Sequence, residues 1–446
     1  MKTFLNGPVF RFLWSLGLAA ILYTICPPCF SKTQAALVLG ILAVLINLAP
    51  WTGKKTILIQ SARVLVGGLF VFSGFIKAND TLGFSYKLEE YFEVFQHDTG
   101  WTLFAYIGKG SLVMAIALCA VEMILGLTLI LGFKIKLTLW LLLAQILFFT
   151  FLTFYSACYN KVTHCGCFGD FLKLKPWESF WKDIVLLVLI TLLFSGEKLL
   201  QPLMQPMLLY SVTALLCLLS IGFPLYTYRH LPVFDFRAYA PGMNIIENMK
   251  KGPGYQDPVY ESRLVYKNTK TGQLRAFTQN EFMASKIWED TLTWTWHATE
   301  NKLVKEAVNP PLITDLTLSA LDGQDLTDSL LKSPGYKLWI IAYDITKTQN
   351  TATLWQTISD FKKLSNQAQV PLYLITSSAQ QDVKSFLKQH QLNTLPVVIC
   401  DAIVLKTMIR SNPGLMLLKQ AKVIKNWHYN DWPVFETMKQ LYFNSN

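Results

Sequence analysis

Charge is scarce in this 446-residue chain: Asp, Glu, Lys and Arg make up 15% of it. A soluble globular domain carries about 25%. Histidine is rare, at six residues, and aromatics are plentiful at 13%. Mean hydropathy is +0.33, which excludes a disordered chain and an ordinary water-soluble one. The shortage is uneven. Residues 1–227 hold 26 of the 69 charged residues, and residues 228–446 hold the other 43. The chain therefore reads as a membrane half followed by a water-soluble half. Net charge is +11, but no Lys/Arg stripe interleaved with aromatics occurs in the soluble half, so a nucleic-acid partner is not expected. The basic excess fits cytoplasmic loops of a membrane protein.

What is present is a series of apolar runs. Seven candidate spans lie near residues 12–26, 34–50, 57–77, 108–132, 137–157, 180–195 and 205–226. A span needs about 20 apolar residues, with roughly 17 as the lower limit. The first has no small-residue cleavage site after it and is read as a span, not a signal peptide. With the N-terminus inside, the short inner loops collect Lys2, Arg11, Lys54, Lys55, Lys134, Lys136 and Lys198. The positive-inside rule asks for this, and seven spans then place the C-terminal half outside. A bacterial inner membrane with a periplasmic C-terminal domain is the expected location.

That orientation puts Cys26, Cys29, Cys158, Cys165 and Cys167 on the outer face, where disulfides form and persist. Cys119, Cys217 and Cys400 sit in apolar runs and read as buried small hydrophobes. Cys26-Pro27-Pro28-Cys29 is a C-x-x-C at the end of the first span. It can be a redox pair, a static disulfide or an incidental pair at a proline turn. His164-Cys165-Gly166-Cys167-Phe168-Gly169-Asp170 follows the fifth span, with Cys158 seven residues before Cys165. One thiol of a Cys-Gly-Cys can attack while the other resolves. His164 can stabilise a thiolate or bind metal. Zinc would draw on Cys158, His164, Cys165 and Cys167, but C-x-C is cramped for tetrahedral binding, and no metal is assigned. Thiol–disulfide exchange and a structural disulfide remain open.

Arg63, Lys77 and Glu122 interrupt the apolar spans, where charges are costly and usually paired or functional. Arg63 and Lys77 are placed to snorkel to the surfaces. Glu122 is nearer mid-span. It is either a protonated carboxyl bonded within the bundle or a group with a proton- or quinone-related role.

Cys165-Gly166-Cys167-Phe168-Gly169-Asp170 after a span, followed by Pro176-Trp177 and another span, resembles the MauE branch of the DoxX-like membrane family. So do Arg63, Gly67, Gly68, Phe72, Ser73-Gly74, Lys77, Asp80, Gly83 and residues 87–91, and then Glu122, Gly126 and Gly132. The resemblance covers about residues 57–195. It implies a four-helix membrane unit linked to periplasmic thiol chemistry and maturation of exported partners.

The soluble half begins near Arg229. Short β-rich runs (262–266, 274–277, 291–296) separated by turn signals predict a small β segment over 231–309. Strands at 338–343, 371–376 and 395–400 alternate with helices at 352–366 and 379–390, then a hairpin and a closing helix at 433–443. That order resembles the thioredoxin-like fold in its TlpA or redoxin form, with Pro310-Pro311 leading in and Pro413 at the position of its cis-proline. The active C-x-x-C is missing: residues 344–350 contain no cysteine.

The fold class expected is an all-α membrane bundle followed by an α/β thioredoxin-like domain. Five parts are expected: 1–56 with the C-x-x-C, 57–195, a seventh span and linker over 196–230, 231–309, and 310–446. Candidate catalytic residues are Cys165, Cys167, Cys26 and Cys29, with Cys158, His164, Glu122 and Arg63 in support. No cofactor signature is found, and a membrane quinone is the carrier such chemistry could use. Partners are the lipid bilayer and a periplasmic protein. The competing expectation is a non-enzymatic scaffold whose redox-silent domain binds a client.

Overall fold

The computed structural model describes residues 54–159, 161–162, 169–172, 174–305, 307–348 and 352–443. They fall into two compact units that divide at Arg237/Ala238, with 427–432 counted with the first.

The first unit is helical: α1 Lys54–Asn79, α2 Thr81–Thr99, α3 Leu103–Lys109, α4 Ser111–Leu131, α5 Ile135–Tyr159, α6 Pro176–Ser195 and α7 Pro206–Arg229. Four of these, α1, α4, α5 and α7, are long and apolar enough to cross a membrane. The expected sixth span is the 20-residue α6. It is excluded from that group because Glu178, Lys182 and Asp183 crowd its first two turns. The apolar stretch expected at 108–132 is divided at Gly110 into α3 and α4. The spans expected at 12–26 and 34–50 lie outside the described residues.

Close approach of α1 and α4 depends on glycine. A Cβ on Gly126 would lie 2.6 Å from the Gly67 carbonyl oxygen, and one on Gly74 would lie 2.9 Å from the Met123 nitrogen. Small residues let apolar helices approach where no hydrophobic gradient drives them together. One core cluster, built on Ile59, Val66, Leu129, Leu142 and Ile190, fills one end of the bundle. A second, on Leu88, Tyr91, Cys119, Phe149 and Val162, fills the other.

Helix α2 is half-polar and docks its apolar stripe (Phe84, Leu88, Tyr91, Phe92, Phe95) into that second cluster. Asp80 caps its start by accepting from the Gly83 amide (3.0 Å). Gly100 ends it in the left-handed conformation at φ 71°, which glycine adopts without a Cβ penalty.

The second unit carries two sheets. Strands β1 Val259–Asn268, β2 Leu274–Thr278 and β3 Trp294–Lys305 form an antiparallel sheet in the order β2-β1-β3. The other five, β4 Tyr336–Ala342, β5 Leu372–Thr376, β6 Val397–Ile399, β7 Gly414–Lys419 and β8 Lys422–His428, order as β6-β5-β4-β7-β8. β4 runs parallel to β5 and antiparallel to β7. Its central place follows from its sequence, since Leu338 to Ala342 are wholly buried and an unbroken apolar run suits a strand covered on both faces. Helices Ala352–Gln367, Gln380–Gln389 and Phe435–Tyr442 accompany this sheet. The Asn412–Pro413 peptide is cis.

Candidate functional site

Cys26, Cys29, His164, Cys165 and Cys167 lie outside the described residues. Cys158, in the last turn of α5, is exposed, and Cys119, Cys158, Cys217 and Cys400 are free thiols. No group of three or more His, Cys, Asp or Glu able to hold a metal occurs among the described residues.

Glu122 and Arg63 are both buried, but the fold does not bring them together. The Arg63 Nε donates to the Leu129 carbonyl oxygen (2.9 Å) and Nη2 to that of Gln201 (3.0 Å). Arg63 thus ties the C-terminal end of α4 and the segment after α6 to α1, and does not snorkel into solvent. Glu122 meets Lys77 instead. The Lys77 Nζ lies 2.9 Å from Oε1 and 2.7 Å from Oε2 of Glu122, and donates to the Ser73 Oγ at 3.0 Å. Phe149 of α5 lies beneath the ammonium, its ring centre at 4.2 Å. Both members of the pair are about 2–4% exposed. A buried cation so engaged is stabilised where a lone one would be prohibitive. Lys77 therefore points into the bundle, where the sequence reading had it reaching outward.

A second carboxylate enters the same region. Asp183 of α6 is fully buried. It accepts from the Thr153 Oγ1 of α5 at 3.0 Å and pairs with Lys182. Both ion pairs, with Ser73, line a cavity of about 20 Å³, enough for one water molecule. The sequence reading passed over Asp183. Its signal was the acid beside Lys182 entering an apolar helix, and only the packing of α6 on α5 shows the carboxylate to be internal.

The ends of the His164–Cys167 segment are also visible. Upstream, Val162 is fully buried in the second core cluster. Lys161 pairs with Asp98, which also accepts from Tyr155 and lies 3.1 Å from the His97 ring nitrogen. Burial works against the Asp98 charge, but the hydrogen bonds from Lys161, Tyr155 and His97 outweigh it and hold the carboxyl down at about 2. Downstream, the Phe171 ring makes edge-on contacts with Phe72 of α1 (5.7 Å) and with Phe236 (5.1 Å). Residues 232–237, past the end of α7, return over the C-terminal end of α1. There the Asn79 amide donates to the Phe234 carbonyl oxygen (2.7 Å), and its Oδ1 accepts from the Phe234 amide (3.0 Å).

In comparisons with known proteins, no curated protein and no solved structure matches the chain. Residues 55–196, about a third of the chain, match the family model of the methylamine utilisation protein MauE.

Proposed function

We propose that this chain is a multi-pass membrane protein of the MauE kind that serves thiol–disulfide chemistry during maturation of exported partner proteins. The observation that carries the proposal is the match of residues 55–196 to the MauE family model, a stretch that includes Cys165 and Cys167. Buried Val162 lies three residues before Cys165, and Phe171, in contact with the Phe72 and Phe236 rings, lies four residues after Cys167. Cys165 and Cys167 are the exchanging thiols in this reading, with Cys26 and Cys29 as their partner pair and His164 and Cys158 nearby in sequence. A membrane quinone is the electron carrier proposed for it. Glu122 and Arg63 take structural roles, as one half of an ion pair and as a cap on main-chain carbonyls.

The sheet order β6-β5-β4-β7-β8, with a parallel β4–β5 pair, an antiparallel β7 and a closing helix, supports a thioredoxin-like second unit. Residues 343–348 after β4 contain no cysteine, so that unit would bind a client without exchanging electrons. This feature favours the scaffold reading as the alternative.

Mass spectrometry of cysteine pairing in intact membranes tests the proposal. Cys165 and Cys167 should change state when cells are shifted between reducing and oxidising conditions. A pairing that never changes would leave the scaffold.

A further inference from the structure

We propose that Trp101 and α3 form a lipid anchor, with Trp101, Leu103 and Tyr106 seated in the headgroup layer of a phospholipid bilayer. The inference rests on the multi-pass part of the reading above and is independent of the thiol chemistry. Helix length sets the level. Helix α4 has 21 residues, which at 1.5 Å per residue makes about 31 Å, the thickness of a bilayer's hydrocarbon core. Glycines bound it: the Gly110 amide closes α3 on the Ile107 carbonyl oxygen (2.9 Å), and Gly132 ends α4 in the left-handed conformation at φ 79°. With α4 spanning the whole core, α3 falls at the boundary that holds the N-terminal end of α4.

The two faces of α3 differ. Phe104 and Ile107 pack on the second core cluster, and a Cβ on Gly108 would stand 3.5 Å from the Phe92 Cβ, an ordinary contact with α2. The other face is apolar and open: Leu103 is 56% exposed, Tyr106 70%, and Trp101, just before the helix, 64%. The Lys109 Nζ lies 5.2 Å from the centre of the Tyr106 ring, so a cation stands beside this face. Trp, Tyr and Lys together suit a lipid boundary. Their rings and methylenes lie against apolar chains, while the indole N–H, the hydroxyl and the ammonium reach ester and phosphate oxygens.

Ring contacts carry the same level across to α5. Trp101 stacks near Phe104 (6.4 Å), Phe104 meets Phe95 (5.5 Å), Phe95 meets Tyr155 (4.8 Å) and Tyr155 meets Tyr159 (4.8 Å). Tyr159 is the last residue of α5 and is exposed. The opposite ends of the spans carry a second group. Exposed Trp140 lies near the start of α5 and exposed Tyr210 near the start of α7, with Phe133 edge-on to Tyr210 at 5.2 Å. Aromatic residues gather in this way at the two interfaces of a membrane protein. Helix α3 is the part of the first group that lies outside a span.

The test uses the full-length protein reconstituted in phosphatidylcholine vesicles. Two photoactivatable phosphatidylcholines are compared, one with its carbene precursor at the glycerol level and one at the end of an acyl chain. Adducts are located residue by residue by mass spectrometry. The glycerol-level probe should mark Trp101, Leu103 and Tyr106 and spare the inward Phe104 and Ile107. With the acyl-end probe those three adducts should be lost, while exposed Val121, Leu147 and Leu218, at the middle of α4, α5 and α7, should be marked. Mid-helix adducts with no adduct on α3 from either probe would leave the spans standing and overturn the anchor. Acyl-end adducts on α3 as strong as those at Leu147 would put it inside the core and also overturn it. So would equal marking of Phe104 and Leu103, since α3 would then not be docked on the bundle. A protein unmarked at Val121, Leu147 and Leu218 would overturn the multi-pass reading, and the anchor with it.

Discussion

Lys77 and Glu122 show what a single charge requires inside an apolar bundle. Each would be costly alone, and each is satisfied by the other. Breaking such a pair on one side strands the remaining charge and typically costs 3–5 kcal/mol, about the range expected here. Lys77→Met or Glu122→Leu alone should therefore lower the melting temperature in detergent sharply. The double variant should recover most of the loss, because two apolar side chains leave no stranded charge. Equal damage in single and double variants would show that the pair does not act as a unit. A second buried lysine makes a pH prediction. Burial holds the Lys337 ammonium down at about 8, and its Nζ donates to the neutral oxygens of Leu330 and Ser333. The unfolded chain keeps its proton to about 10.4, so between these values the unfolded state binds more protons and stability rises with pH. The penalty is full below about 8 and relieved above about 10.5, a span of about 3 kcal/mol at 1.36 kcal/mol per unit. Denaturation of the wild type and Lys337→Met at pH 7.5 and 10.5 checks it. The variant should lose that rise, and a parallel pH dependence in the two proteins would refute it.

Among the elements, the α1–α4 seam is sensitive to added volume. Gly126→Leu would force the Gly67 carbonyl away from a helix that now touches it, and overpacking of this kind costs about 1–3 kcal/mol. Gly68, one residue along from Gly67, has nothing within 4 Å of its would-be Cβ, so Gly68→Ala should be neutral or slightly stabilising. Thermal melts of the two variants should therefore diverge, and a tolerated Gly126→Leu would mean that the helices do not approach as described. Apolar length made the four long helices legible in the sequence, and the unbroken run at 338–343 did the same for β4. Helix α2 was legible as well: Asp80 as cap, apolar residues at 84, 88, 91, 92 and 95, and Gly100 as stop spell an amphipathic helix. Reading 80–100 as a loop between spans obscured it. The Gly110 break between α3 and α4 was harder to see, because apolar content continues across it. The pairing of Lys77 with Glu122 was not legible, since 45 residues separate them and the glycines that align them act only in three dimensions.

For the whole molecule, the orientation of the chain is the property on which the proposed chemistry depends. A reporter fused after Asn446 should be active only outside the cytoplasm, as alkaline phosphatase is, and a fluorescent cytoplasmic reporter there should stay dark. The reverse pattern would put the cysteine segments in a reducing compartment, where disulfides do not persist.

The partnership of Lys77 with Glu122 also bears on how the chain enters its bilayer. When α1 leaves the ribosome its ammonium lacks the partner it has in the folded bundle, and 45 more residues must be synthesised before Glu122 exists. Until then lipid is a poor host for that helix. The expected consequence is that the first helix is sheltered until the second is released, so that the two enter as a couple and not in single file.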